Sequence, residues 1–213
     1  MKKPFKTFLM ICSGVIAGAV IVSAVYVLTG FPLSGGAKTK SVYAEDAENA
    51  DIIMLAFSVL GHIRDGDFDA LSAIVHPEFG VVFSPYATIK LATDRHLSAG
   101  QVAALGTDSS QYVWGVYNGS GEPIKLTPAE YFEEFISAED HMNAAIIGVN
   151  MVVRTGHALD NKSDVFPNMK FVDFHIPGDD SNEEGSWRSL RIGFEEYNGQ
   201  LKLVTIVSSK RMM

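Results

Sequence analysis

The chain has 213 residues, of which 47% are hydrophobic and 20% charged, and it contains a single cysteine. This composition excludes a disordered chain, a collagen-like fibre and a disulfide-stabilised scaffold. Residues 1–44 hold five lysines and no acid, so residues 45–213 carry 12 basic and 25 acidic side chains, a net charge of −13. Because binding to a polyanion needs clustered positive charge, we expect no nucleic-acid partner.

The N-terminal segment predicts a membrane-spanning helix. Three lysines precede residues 8–28, a run of 21 uncharged residues, and about 20 helical residues cross the hydrocarbon core. The basic flank favours a cytoplasmic N-terminus, which places the C-terminal part outside the cytoplasm. We therefore expect residues 1–29 to be an uncleaved anchor in the cell membrane. The alternative is a signal sequence cleaved after Ala44, which would give a secreted protein.

Residues 30–44 are small, polar and glycine-containing, which predicts a linker to one domain over residues 45–213. That domain has no cysteine, so we expect its hydrophobic core to stabilise the fold without a disulfide. A domain of this size buries about 70% of its unfolded surface, which makes such a core feasible.

Helices are predicted in the first half of the domain and strands in the second. Apolar residues recur at helical spacing over residues 52–63, and further helices are predicted to begin after the capping residues Asp67, Ser98 and Thr127. The last of these is predicted to run from Pro128 to about Ser137. Segments rich in Val, Ile and Phe predict strands over residues 146–154, 169–176, 187–197 and 201–208. Asn198 and Gly199 predict a hairpin turn between the last two strands, because Asn-Gly tolerates the positive φ angles of tight turns. This order predicts an α+β domain with helices on one face of an antiparallel sheet.

Two stretches resemble the nuclear-transport-factor-2-like superfamily. GDFDALSAIVHPEFGVVFS resembles its opening helices and first strand, and WRSLRIGFEEYNGQLKLVTIV resembles its last two strands. Members have helices that close the mouth of a curved antiparallel sheet, so the resemblance implies a cone-like pocket. HPEFGVVFSPYA and YVWGVYNGSGEPIKLTPAEYFEEF also resemble a group of uncharacterised exported bacterial proteins. Ketosteroid isomerase and other enzymes share this fold, but no motif here matches their catalytic residues, so the resemblance implies no activity.

Four polar residues on two predicted strands are the first candidates for a site. Asp173 and His175 share one strand face, and they suit either an acid–base pair or a solvated surface. Arg191 and Glu195 share a face of the next strand and could complete one ionic patch with them. In the pocket, Arg191 could bind an anionic ligand. We expect the patch on the outer face, where it would be solvated or form a dimer contact.

The other candidates are a histidine and several aromatic residues. His76 follows a helical stripe, and it could be an acid–base group at the pocket edge or bond a carbonyl at the helix end. Aromatic side chains suit a ligand pocket and equally the interior of a curved sheet; those considered are Tyr86, Trp114, Tyr117 and Trp187.

The remaining histidines lack metal-ligand spacing, and no phosphate-binding loop or nucleophile elbow is present, so we expect neither metal nor cofactor. The sequence therefore favours a membrane-tethered domain outside the cytoplasm that binds a small molecule or a protein. The alternatives are a hydrolase, lyase or isomerase built on Asp173 and His175, and a non-catalytic homodimer.

Overall fold

The computed structural model describes residues 42–154, 158–178 and 186–210, which all belong to the unit 41–213. The predicted membrane span, residues 8–28, lies outside these ranges. Within them, no helix combines the length and the apolarity that crossing a membrane requires.

The helices begin where their capping residues predict. Asp67 accepts a hydrogen bond from the Ala70 amide at 3.0 Å, and Ser98 and Thr127 each form a reciprocal capping box. The first helix begins at Val42, inside the predicted linker. The helices are α1 (Val42–Asp65), α2 (Phe68–Ile74), α3 (Ala99–Ala103), α4 (Pro128–Tyr131), a π-helical turn (Phe132–Ile136), α5 (Ala138–Met142) and α6 (Lys162–Val165).

The strands confirm an α+β fold built on a mixed sheet. Six of them lie in the order β2-β1-β8-β7-β6-β5, and β3 pairs with β4 in a separate hairpin. Their bounds are β1 (Val81–Ser84), β2 (Arg95–Leu97), β3 (Tyr112–Val116), β4 (Pro123–Leu126), β5 (Ile146–Val149), β6 (Lys170–Ile176), β7 (Arg188–Tyr197) and β8 (Gln200–Lys210).

The predicted antiparallel meander is present from β5 to β8, but the sheet is not antiparallel throughout. Strand β1 runs parallel to β8, so the expectation of a wholly antiparallel sheet is wrong at this pair. A parallel neighbour needs a long crossover connection, and alternation within one strand carries no information about a partner more than a hundred residues away. The strands β2 and β4 were not predicted, because three or four residues give too short a pattern.

One face of the sheet, here called the helix face, packs against helices and aromatic side chains. Val172, Phe174, Leu190 and Ile192 project from β6 and β7 into the same core as buried residues of α1 and α2. The remaining members of this core include the aromatic residues Phe83, Trp114, Tyr131 and Phe135. Hydrophobic burial on this face is therefore the main stabilising contribution to the domain.

The opposite face is covered by residues 158–169, here called the cover segment. Phe166 from this segment packs with Val82, Val204 and Val207 of the sheet. The side chain of Asn161 accepts a hydrogen bond from the Ile89 amide and donates one to its carbonyl, both at 2.8 Å. These contacts hold the cover segment against the sheet and the loop after β1.

Candidate functional site

The polar side chains of β6 and β7 lie on the face beneath the cover segment. In the strand register Asp173 is opposite Arg191, and His175 is opposite Ser189. All four residues are buried, the most exposed being His175 at 4%. Because strand residues alternate, these side chains point away from the helix face that receives Phe174 and Leu190. The expectation of a solvated outer patch is therefore wrong, since a segment without a predicted helix or strand covers it.

Arg191 is the centre of a four-residue ionic cluster. Its Nη1 donates to Asp160 Oδ1 at 3.1 Å, and its Nη2 lies 3.7 Å from Asp173 Oδ2. Lys162 Nζ donates to the second oxygen of Asp160, also at 3.1 Å. Two of these groups come from the sheet and two from the cover segment. The cluster, defined as Asp160, Lys162, Asp173 and Arg191, therefore bridges the two.

Two glycines allow the chain to approach the cluster closely. Gly148 of β5 is opposite Asp173, and a Cβ added there would lie 2.3 Å from the carbonyl oxygen of Met151. After β5 the backbone therefore passes close to Gly148, and the Val153 amide donates a hydrogen bond to Asp173 Oδ2 at 3.1 Å. On the other side, a Cβ at Gly193 would lie 2.2 Å from the sulfur of Met169. A side chain at position 148 would force the Met151 backbone away, whereas one at position 193 would displace the side chains of Met169 and Thr205.

Two polar atoms of the cluster are buried without a hydrogen-bond partner within the described ranges: Asp173 Oδ1 and Arg191 Nε. At 3.7 Å, the Nη2 to Oδ2 separation exceeds hydrogen-bond distance, so the carboxylate and the guanidinium are paired loosely. Buried polar groups in proteins are almost always bonded, and each exception requires an explanation. The cluster thus retains one free donor and one free acceptor on neighbouring strands.

The pKa values of the two carboxylates of the cluster are shifted in opposite directions. Burial raises the pKa of Asp173 above its ordinary value, and the attraction of Arg191 opposes this shift only in part. Burial would also raise the pKa of Asp160, but Arg191 and Lys162 lower it below its ordinary value. Asp160 is therefore the better stabilised anion, and Asp173 is the carboxylate whose charge is costly to bury.

His175 is adjacent to the cluster but is bonded elsewhere. Its Nδ1 lies 2.7 Å from Ser189 Oγ, and its ring is 6.0 Å from the Trp187 ring. The guanidinium of Arg154 lies 5.2 Å from the centre of that indole. Burial, together with the charge of Arg154, lowers the pKa of His175, which keeps the ring neutral near pH 7. Asp173 bonds Val153 rather than His175, so the two do not form the acid–base pair considered from the sequence.

Glu195 and His76 are placed apart from the cluster. Glu195 is half-buried and opposite Lys202 near the β7–β8 turn. His76 is half-buried, and its Nδ1 accepts hydrogen bonds from the amides of Glu78 and Phe79 at 3.3 and 3.0 Å. The turn after α2 directs free amides at Nδ1, so this nitrogen accepts from amides and does not make the bond to a helix-end carbonyl that was one of the two alternatives.

The aromatic candidates divide between the core and its margins. Trp114 is fully buried, stacked on Tyr131 at 4.1 Å, and its Nε1 donates to the Leu126 carbonyl at 2.9 Å. Tyr86 is buried in the same core, whereas Tyr117 is half-buried at its edge. Trp187 is the one of the four that lies close to the polar residues, through His175.

Sequence reasoning missed Asp160 and Lys162. Both come from the cover segment, where no helical or strand periodicity marks a residue as buried. The signal that could have indicated a covered face is the pair of glycines, Gly148 and Gly193, within otherwise bulky strands. Within the described ranges, no group of three His, Cys, Asp or Glu side chains is arranged to hold a metal ion.

No family model matches this chain, and no curated protein matches it either.

Proposed function

We propose that this chain is a membrane-tethered binding domain located outside the cytoplasm, with residues 8–28 as its anchor. The lysine-flanked apolar run and the acidic balance of residues 45–213 support this location. We propose further that the domain is related to the nuclear-transport-factor-2-like superfamily, with a curved, cone-like sheet. The arrangement of helices on one face of an antiparallel meander supports that relation.

The ligand of this domain is a small polar molecule bound at the ionic cluster. The observation that carries this proposal is the pair of buried atoms without partners, Asp173 Oδ1 and Arg191 Nε. A ligand that bonds both would remove the energetic cost of leaving them unsatisfied, which is about 1–3 kcal/mol for each group. The two members of the cluster that come from the cover segment, Asp160 and Lys162, have side chains that are 18% and 23% exposed.

The helix face gives less support for a ligand pocket. Rings from four different elements occupy the space that a cone would enclose: Phe83 is 5.6 Å from Trp114, and Tyr131 stacks on Phe135 at 5.0 Å. Such contacts are typical of a packed core. We therefore place the binding site beneath the cover segment and not between helices and sheet.

The membrane location is tested on the full chain expressed in cells. We expect the protein in carbonate-washed membranes, with the original N-terminus intact and the C-terminal domain digested by protease added outside the cytoplasmic membrane. A soluble product that begins at Glu45 would show cleavage and secretion instead. That cut would remove only the first three residues of α1, so the domain would retain nearly all of this helix.

Ligand binding is tested by native mass spectrometry of the full chain purified in mild detergent. We expect wild type to carry a small-molecule adduct that Arg191→Met abolishes. Arg188→Met is the matched control, because Arg188 is on the same strand but pairs with Asp140 at the surface, at 3.0 Å. Circular dichroism checks that both variants are folded. The proposal fails if wild type carries no adduct, or if a folded Arg191→Met protein retains it.

A further inference from the structure

The charges of the cluster balance without any additional ion. Arg191 and Lys162 supply two positive charges, and Asp160 and Asp173 supply two negative charges. Arg191 and Asp173 have side chains that are only 3% and 1% exposed, so an added net charge would be poorly screened by water. Burying an uncompensated charge is much more costly than burying a neutral polar group. Charge balance therefore favours a neutral ligand.

The free atoms define which hydrogen bonds the ligand must make. Arg191 Nε carries a hydrogen and can only donate, whereas an ionised Asp173 Oδ1 can only accept. The two residues are directly opposite on neighbouring strands, and such pairs have their Cβ atoms about 5 Å apart on one sheet face. A single ligand that satisfies both must present an acceptor and a donor side by side.

We propose that the site takes a neutral ligand with a cis-amide edge, meaning a carbonyl oxygen beside an N–H on the same side of the group. The carbonyl accepts from Arg191 Nε, and the N–H donates to Asp173 Oδ1. This inference rests on the proposed binding function and adds the chemical class of the ligand. Both a primary amide and a ring lactam carry this edge. An ordinary secondary amide does not, because its trans geometry directs the two groups in opposite directions.

The test is a titration of the full ¹⁵N-labelled chain in micelles, observed at the Arg191 Nε–H and Val153 N–H signals. The probes are acetamide and 2-pyrrolidone, which carry the cis edge as primary amide and lactam, and acetate and N-methylacetamide, which do not. We expect the first two to shift both signals and the last two to leave them unchanged at equal concentration. The probe that causes the larger shift of the two signals, acetamide or 2-pyrrolidone, shows whether the site prefers a primary amide or a lactam.

A second variant tests the direction of the hydrogen bonds. In Asp173→Asn, the amide oxygen is needed to accept from Val153, so the NH₂ group replaces Oδ1 and the site then presents two donors. The variant also leaves the cluster with one excess positive charge. We expect Asp173→Asn to bind acetate about tenfold or more tightly than wild type does, and to lose its preference for acetamide.

The outcomes separate this inference from the proposed function. If wild type responds to acetate and not to acetamide, or if Asp173→Asn keeps the wild-type preference, the amide class is wrong while ligand binding stands. The same conclusion follows if no probe shifts the signals but the mass-spectrometric adduct is present. If no probe shifts them and no adduct is found, binding at the cluster fails as well.

Discussion

The two faces of the six-stranded sheet are both buried, yet they are built from different chemistry. The helix face receives Phe174, Leu190 and Ile192 into a continuous apolar core. The opposite face has an apolar patch over β1 and β8 and an ionic cluster over β6 and β7. Helices supply apolar side chains to the first face, whereas the cover segment supplies Asp160 and Lys162 to the second.

This difference shows that burial has two separate roles in the same sheet. Apolar packing contributes stability roughly in proportion to the area removed from water. A buried ion pair contributes much less net stability, because desolvation offsets most of the attraction. The helix face and the apolar patch over β1 and β8 therefore stabilise the fold, and the ionic cluster over β6 and β7 holds polar atoms in fixed positions. The following changes test this division, in order of expected effect.

The largest effect is expected from opening a cavity on the helix face. Trp114→Ala removes a fully buried ring that stacks on Tyr131, and we expect a loss of about 4 kcal/mol in the free energy of unfolding. Urea denaturation of the full chain, followed by circular dichroism, measures it. Val113→Ala is the control, because Val113 is the preceding residue of β3 and is 42% exposed. Equal losses in both variants would contradict the assignment of the helix face as the stabilising core.

Removing the central cation of the cluster is expected to have the next largest effect. Arg191→Met leaves Asp173 buried without its partner, and we expect a loss of about 3 kcal/mol in urea denaturation. The double variant Arg191→Met with Asp173→Leu should recover most of this loss, because no uncompensated charge remains on the sheet. A double variant as unstable as the single one would show that the pair itself stabilises the fold.

A methyl group between the sheet and its cover should have a smaller effect. Gly148→Ala places a Cβ 2.3 Å from the Met151 carbonyl oxygen, and we expect the resulting displacement to cost about 2 kcal/mol. Gly100→Ala in α3 is the control, since no atom lies within 4 Å of the added carbon and alanine favours helix. Hydrogen exchange at the Val153 amide should increase in Gly148→Ala alone. Unchanged protection there would contradict the close approach.

The smallest effect is expected from the pH dependence of Asp173. Burial raises its folded pKa, so its contribution to stability is fully present below the unfolded pKa and is lost as the pH rises through the folded value. Asp173→Asn removes this titration. The stability of the variant relative to wild type should therefore increase between pH 3 and pH 7 in paired urea denaturation series. A relative stability that falls as the pH rises would reverse the assigned direction.

Local signals in the sequence predicted the elements well, because they act over a few residues. The capping residues Ser98 and Thr127 mark the starts of α3 and α4, as expected. Asn198 and Gly199 have positive φ angles of 51° and 77° and form the predicted turn between β7 and β8. The single helix expected from Pro128 to about Ser137 is interrupted, since α4 ends at Tyr131 and the π-helical turn that follows ends at Ile136, before Ser137 with its φ of 42°.

The site was predicted less completely, because alternation along a strand does not reveal what covers each face. The pattern correctly grouped Asp173, His175 and Arg191 on one face. It could not show the contact between Arg191 and Asp160, which is 31 residues earlier in the chain and accepts a hydrogen bond from Arg191 at 3.1 Å. Loop residues acquire such contacts only through the tertiary arrangement. The expectation that Glu195 joins the group also fails, since it lies further along β7, opposite Lys202.

Strand β8 occupies an interior position of the sheet, between β1 and β7, although it is the last described strand in the chain. Residues 85–199 are therefore synthesised before the shared neighbour of β1 and β7, and β1 lacks this partner during that interval. Contacts between such distant segments form slowly. The six-stranded sheet therefore cannot be completed until β8 has been synthesised, and folding of this sheet waits for its most C-terminal described strand.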